Sequence, residues 1–177
     1  RKVAFLKEAH AVVLFPGGFG TLDEGMETLT LSQTGKHYPQ PIIMVDVPGS
    51  DYWRAWRRFM QDHLLAARFI RPEDLDLFTI TDDIQQVVGI IEAFYRCYHS
   101  MRYVGTQLVI RLKRALAPEE MTPIEKEFQA LLVPGGRFRQ GAALPEEHDD
   151  PEVLPLPRLI LDFNRTSFAR LKALIDV

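Results

Sequence analysis

The stretch Ala11-Val12-Val13-Leu14-Phe15-Pro16-Gly17-Gly18-Phe19-Gly20-Thr21-Leu22-Asp23-Glu24 decides the fold. Its first five residues are wholly apolar and stop at Pro-Gly-Gly, the pattern of a short strand buried on both faces of a parallel sheet. From Thr21 to Gln33 the spacing turns helical, with Leu22, Met26 and Leu29 on one side, and Gly35, Pro39 and Pro41 end it. A strand running through a glycine-rich turn into a helix reads as the start of a βαβ unit. The glycines let the backbone turn sharply and come close to a ligand. Their amides, with the helix N-terminus, make a site for an anion, most often phosphate. Thr21 adds a hydroxyl donor at the expected N-cap.

Working outward, residues 1–10 have a rough helical pattern, Ile42-Ile43-Met44-Val45 is a second buried strand, and residues 51–66 are helical. Leu77 to Ile80 is a short strand, and Asp82 or Asp83 caps a long helix to about His99. This alternation predicts an α/β fold, a Rossmann-like parallel sheet. Such sheets bind ligands at the carboxyl ends of their strands; here these are Phe15/Pro16 and Asp46. After about residue 100 the pattern changes to a small α+β appendage. Val104–Leu112 reads as a strand, Pro118–Leu132 as a helix, Arg158–Phe163 as a strand and Thr166–Ile175 as a helix. Residues 140–157 hold four prolines, five acids and no Lys or Arg, so a mobile acidic, Pro-rich loop is expected. The chain thus divides into residues 1–100, part of a nucleotide-binding domain, and residues 101–177, the appendage. Pro134-Gly135-Gly136 echoes the first glycine stretch without the following Gly-Thr and is a plain turn.

Composition sets limits. The 177 residues include 46% hydrophobic and 25% charged ones, ordinary for a globular chain, with a net charge of −3. That total is no footprint for nonspecific nucleic-acid binding. Trp53 and Trp56 with Arg54, Arg57 and Arg58 form the one basic aromatic patch, and three-residue spacing puts both indoles on one helix face for packing. Phe94-Tyr95-Arg96-Cys97-Tyr98-His99 reads as the junction between the two parts. Cys97 cannot form an internal disulfide and has no named base beside it. The five histidines show no metal-ligand spacing, and no apolar run is long enough to span a membrane. A cytoplasmic protein that binds neither nucleic acid nor membrane is expected.

The glycine stretch is neither of the familiar phosphate loops. A G-x-G-x-x-G fingerprint would need glycine at 23, where Asp stands, and no Gly-Lys-Ser/Thr follows for a P-loop. Asp46 ends the next strand where a dinucleotide fold places a ribose partner, which leaves an NAD-type reading as an alternative. Taken alone, Thr21-x-x-Glu24 also reads as a capping box. A carboxylate beside an anion cradle, however, weakens anion binding unless it has other work, and Arg1 sits one helix and one strand upstream.

Arg1-Lys2, thirteen residues, and Pro-Gly-Gly-x-Gly-Thr-x-x-Glu, followed by Gln33-x-Gly35-x-His37, resemble the LONELY GUY family. These are cytokinin riboside 5′-monophosphate phosphoribohydrolases, many once labelled lysine decarboxylase-like; the resemblance covers roughly residues 1–95. It implies hydrolysis of the N-glycosidic bond of a purine nucleoside 5′-monophosphate, cytokinin-type or AMP-like, to free base and ribose 5-phosphate. It implies Arg1 and Glu24 as the catalytic pair and Gly17, Gly18, Gly20 and Thr21 as the phosphate cradle; Asp46, from its place at a strand end, is a separate candidate for a ribose or substrate contact. Such cleavage passes through an oxocarbenium-like cation that a carboxylate can stabilise. No metal or cofactor is called for. Lysine decarboxylation would need a Schiff-base lysine for pyridoxal phosphate, and no lysine stands in a recognisable site for it. The resemblance also implies a homodimer or larger homo-oligomer. The family's first strand–helix units precede the position of Arg1, so a sheet with its N-terminal units missing is expected. The appendage resembles the longer bacterial members. A non-catalytic nucleotide-binding or sensing module is the second reading.

Overall fold

The computed structural model describes residue 6 and residues 8–177. Arg1 and Lys2 lie outside the described residues, as does most of the helix expected over residues 1–10. The fold is α/β: a three-stranded parallel sheet with helices, followed by a four-stranded antiparallel sheet.

In the first half β1 (Val12–Leu14), α1 (Phe19–Gln33), β2 (Ile42–Val45), α2 (Tyr52–Phe59), β3 (Thr79–Thr81) and α3 (Ile84–Cys97) alternate as expected. The sheet order β1-β2-β3 follows the chain, with Val12 opposite Ile42 and Ile43 opposite Thr79. Only the central strand β2 is buried throughout; Val12 and Val13 are half-buried because β1 is the edge of the described sheet. Alternation splits the sheet's contacts between its two faces. Leu14, Ile42 and Met44 pack with Leu29 of α1 and with Trp53 and Met60, while Ile43 and Val45 pack against Val87 of α3. The third expected helix continues beyond α2 as a π-helical segment, Met60–Leu65. Asp83 caps α3, its carboxylate accepting from Gln85 N–H at 2.8 Å.

The second half differs more from expectation. The aromatic run after Cys97 is not the end of a helix but a strand, β4 (Tyr98–Val104), which turns at Gly105-Thr106 into β5 (Gln107–Leu112). After α4 (Pro118–Glu127), β6 (Phe138–Gly141) and β7 (Arg158–Leu161) complete a sheet of order β4-β5-β7-β6. Pro134 stands in a tight turn closed by Gly136 N–H donating to Val133 O at 2.8 Å. The acidic loop is tied down: Glu147 is fully buried between Arg111 and Arg158.

The last helix, α5 (Phe168–Asp176), belongs to both cores. Ala169 packs with the parallel sheet's cluster, and Leu171 and Leu174 pack with the antiparallel one. Its docking depends on Gly35, whose φ of +67° is left-handed and whose missing Cβ leaves room for the Phe168 ring, 2.1 Å from where that atom would stand. Gly35→Ala combines backbone strain with overpacking and is expected to lower the unfolding free energy by about 1–3 kcal/mol. Chemical denaturation checks this.

Candidate functional site

The candidate site lies at the carboxyl ends of the parallel strands, where the glycine stretch follows β1. After β1 the chain passes through Phe15, Pro16 and Gly17 to Gly18, which caps α1 in an extended conformation. The helix begins at Phe19, two residues ahead of the expected Thr21, and no side chain caps it. The Thr21–Glu24 capping box therefore does not form. Thr21 stands at the third helical position with its hydroxyl against Gly17: a Cβ at 17 would lie 2.2 Å from Thr21 Oγ1. Only glycine allows that approach.

The early start has a chemical consequence. The first four N–H groups of a helix lack intrahelical acceptors; here they belong to Gly18, Phe19, Gly20 and Thr21. The first bonded amide is Leu22 N–H, which donates to Gly18 O at 3.2 Å. Open amides at the positive end of a 15-residue helix are suited to an anion. Gly17, Gly18 and Gly20 are exposed and Thr21 is half-buried. Glu24 follows Gly20 by four residues and Thr21 by three, so it shares their side of α1 one turn further on. It is exposed, and among the described residues its carboxylate has no hydrogen-bond or ion-pair partner. Arg1, its expected partner, lies outside the described residues.

Asp46 stands just past the end of β2, as expected, but its side chain is buried. It is only 1% exposed, and its Oδ1 accepts from Trp53 N–H at 3.0 Å. In this structure the carboxylate is sealed beneath α2, away from solvent. Tyr52, beside Trp53, reaches back to the glycine stretch: its hydroxyl donates to Gly17 O at 2.7 Å. Sequence reasoning missed Tyr52, because 35 residues separate it from Gly17. The only signal was an aromatic opening the helix after Asp46. His37 was read only as part of the motif; its Nε2 lies 2.8 Å from Leu6 O and ties the segment before β1 to the end of α1.

The basic aromatic patch is spent internally. Trp53 and Trp56 meet edge-to-face at 5.8 Å, Arg54 pairs with Asp82 and Arg58 with Asp51, and Arg57 lies over Phe78. Among the described residues no group of three or more His, Cys, Asp or Glu could hold a metal ion, and no helix is long and apolar enough to cross a membrane. One buried lysine, Lys172, bonds Asp176 at 2.7 Å and lines a cavity with Pro41, Ile42 and Thr79 at the opposite ends of the strands.

An open α/β sheet here carries a row of open amides at its strand ends and a carboxylate one turn away, an arrangement suited to an anion. The sequence matches the family described as "Possible lysine decarboxylase" over residues 1–91. Cytokinin riboside 5′-monophosphate phosphoribohydrolase LOG3 of Arabidopsis thaliana is 28% identical over 114 residues, 64% of this chain and 50% of that protein. The probable cytokinin riboside 5′-monophosphate phosphoribohydrolase LOGL9 of Oryza sativa subsp. japonica is 32% identical over 94 residues, 53% of this chain and 40% of that protein. The chain belongs to this family, that of the LONELY GUY proteins. It spans about half the length of the curated relatives it matches.

Proposed function

We propose that the cradle holds the 5′-phosphate of a purine nucleoside monophosphate and that the chain hydrolyses its N-glycosidic bond. Water adds across the bond, giving free base and ribose 5-phosphate. The observation that carries this reading is the row of open amides from Gly18 to Thr21 with Glu24, whose carboxylate has no partner among the described residues, one helical turn away, about 5.4 Å. A phosphate on the amides places its ribose along α1 towards the carboxylate. There Glu24 faces the ribosyl cation as the base departs, and either stabilises it or takes a proton from the attacking water. Arg1 is assigned as the residue that orients Glu24 or the nucleotide by bidentate hydrogen bonds. The names of the relatives support the substrate class, and the same reading includes a homodimer. Ile84 and Val88, exposed one turn apart on α3, support that part.

Incubation of the folded protein with AMP and with isopentenyladenosine monophosphate is expected to release free base from at least one, followed by chromatography. Release from neither sinks the reading. Tight nucleotide binding without turnover would instead make the chain a nucleotide-binding module.

A further inference from the structure

An amide cradle binds an anion only as well as its N–H groups are aimed before the anion arrives, because ordering a loop afterwards subtracts from affinity. The turn from Phe15 to Gly20 has little of its own to aim it. Its three glycines are exposed, and a Cβ at Gly18 or Gly20 would meet nothing within 4 Å. One side chain from α2 holds it: the Tyr52 hydroxyl on Gly17 O, at 2.7 Å. The peptide between Gly17 and Gly18 is planar and trans. Holding its carbonyl therefore also fixes the direction of the Gly18 N–H, the first amide of the cradle.

Tyr52 is itself seated from the sheet. It is the first residue of α2, and its ring packs edge-to-face on Trp53 at 4.8 Å. Trp53 is 1% exposed, and its N–H is held by Asp46. Asp46 in turn donates its N–H to Thr81 O at 2.8 Å, just past the end of β2. Asp46 Oδ2 is buried with no hydrogen-bond partner among the described residues. A buried carboxylate with an open oxygen costs stability, so space-filling does not account for it.

We propose that Tyr52 is a positioning residue that pre-aims the anion cradle through the Gly17 carbonyl, and that Asp46 acts through Tyr52 rather than on the ligand. The identity of the anion as a sugar phosphate rests on the function proposed above; the geometry does not.

Tyr52→Phe keeps the ring and removes one oxygen. Calorimetric titration of the full chain with ribose 5-phosphate reads the cradle without any turnover. The variant is expected to bind about tenfold more weakly, a single hydrogen bond's worth, with its thermal midpoint unchanged within about 2 °C. With AMP as substrate, KM should rise by the same factor while kcat stays within about twofold. A merely structural role would lower the midpoint and leave the dissociation constant alone. Asp46→Asn, which keeps an acceptor for the Trp53 amide, is expected to bind like the parent. Asp46→Ala is expected to match Tyr52→Phe. The proposal is overturned if Tyr52→Phe binds ribose 5-phosphate as tightly as the parent, or if the parent does not bind it. It is also overturned if Asp46→Asn loses as much affinity as Asp46→Ala. If the parent binds ribose 5-phosphate, Tyr52→Phe weakens it, and no nucleotide releases base, the positioning role stands and the hydrolase reading falls.

Discussion

Replacing Glu24 by alanine is expected to lower turnover of the nucleotide by about 10²–10⁴-fold, the range for removing a group that transfers a proton or stabilises charge in the transition state. Stability should barely change. Glu24 is exposed, makes no cap and has no partner among the described residues, so the substitution falls in the surface class, within about 0.5 kcal/mol. Alanine is also a good helix former. The two readouts separate the catalytic role from the capping box that the sequence also allowed, since a lost cap would cost about 1 kcal/mol. Ribose 5-phosphate binding gives a third readout with its own sign. Removing a negative charge beside an anion cradle should leave that binding unchanged or tighten it. A Glu24→Ala protein that turns over within about twofold of the parent, with thermal stability reduced, would remove Glu24 from the mechanism.

The parts of the candidate site legible in sequence are those that are local. Gly17, Gly18, Gly20, Thr21 and Glu24 lie within eight consecutive residues, and a strand, a glycine turn and a helix in that order have one common geometry. The start of α1 was displaced because glycine was read as loop. At an N-terminal turn Gly20 owes no hydrogen bond, so the helix extends back through it to Phe19. What sequence reading could not reach were contacts between distant residues. The Tyr52 bond to Gly17 and the Asp46 bond to Trp53 depend on where α2 lands after β2. The strand β4 was hidden for a different reason. Its register shifts between Tyr98 and Ser100, so its buried residues Tyr98 and Met101 lie three apart, and the alternation that marks a strand is broken. The acidic loop misled in the same way as α2: Glu147 sits in a segment with no nearby cation, and its partners Arg111 and Arg158 come from β5 and β7.

Glu147→Ala is expected to cost about 3–5 kcal/mol, the range for breaking a buried ion pair from one side. Glu147 Oε1 accepts from Arg111 Nε at 3.0 Å, and Oε2 accepts from Arg158 Nε at 3.0 Å and from Leu144 N–H at 3.1 Å. Arg158, itself fully buried, also donates to Leu156 O and Val153 O, so the same guanidinium holds down the far end of the loop. Without the carboxylate, two buried guanidinium groups face each other with Asp150, 3.4 Å from Arg111, as their remaining acid. Set against a typical total of about 5–15 kcal/mol, that loss endangers the whole antiparallel half. The loss should depend on pH. Burial alone pushes the Glu147 carboxyl up, but the donors from Arg158, Leu144 and Arg111 outweigh it and hold the group below the usual carboxylate range. A carboxyl lowered in the folded state contributes stability above its unfolded value, about 4.3, and loses it as pH falls through the folded value. The parent should therefore weaken in acid more steeply than Glu147→Ala, and the gap between them should hold from pH 7 to near the unfolded value and narrow below it. Denaturant titrations at pH 7 and at about pH 3 measure both effects. A Glu147→Ala protein within about 1 kcal/mol of the parent at pH 7 would show that Arg111 and Arg158 do not need this acid, and that the loop is held by its backbone alone.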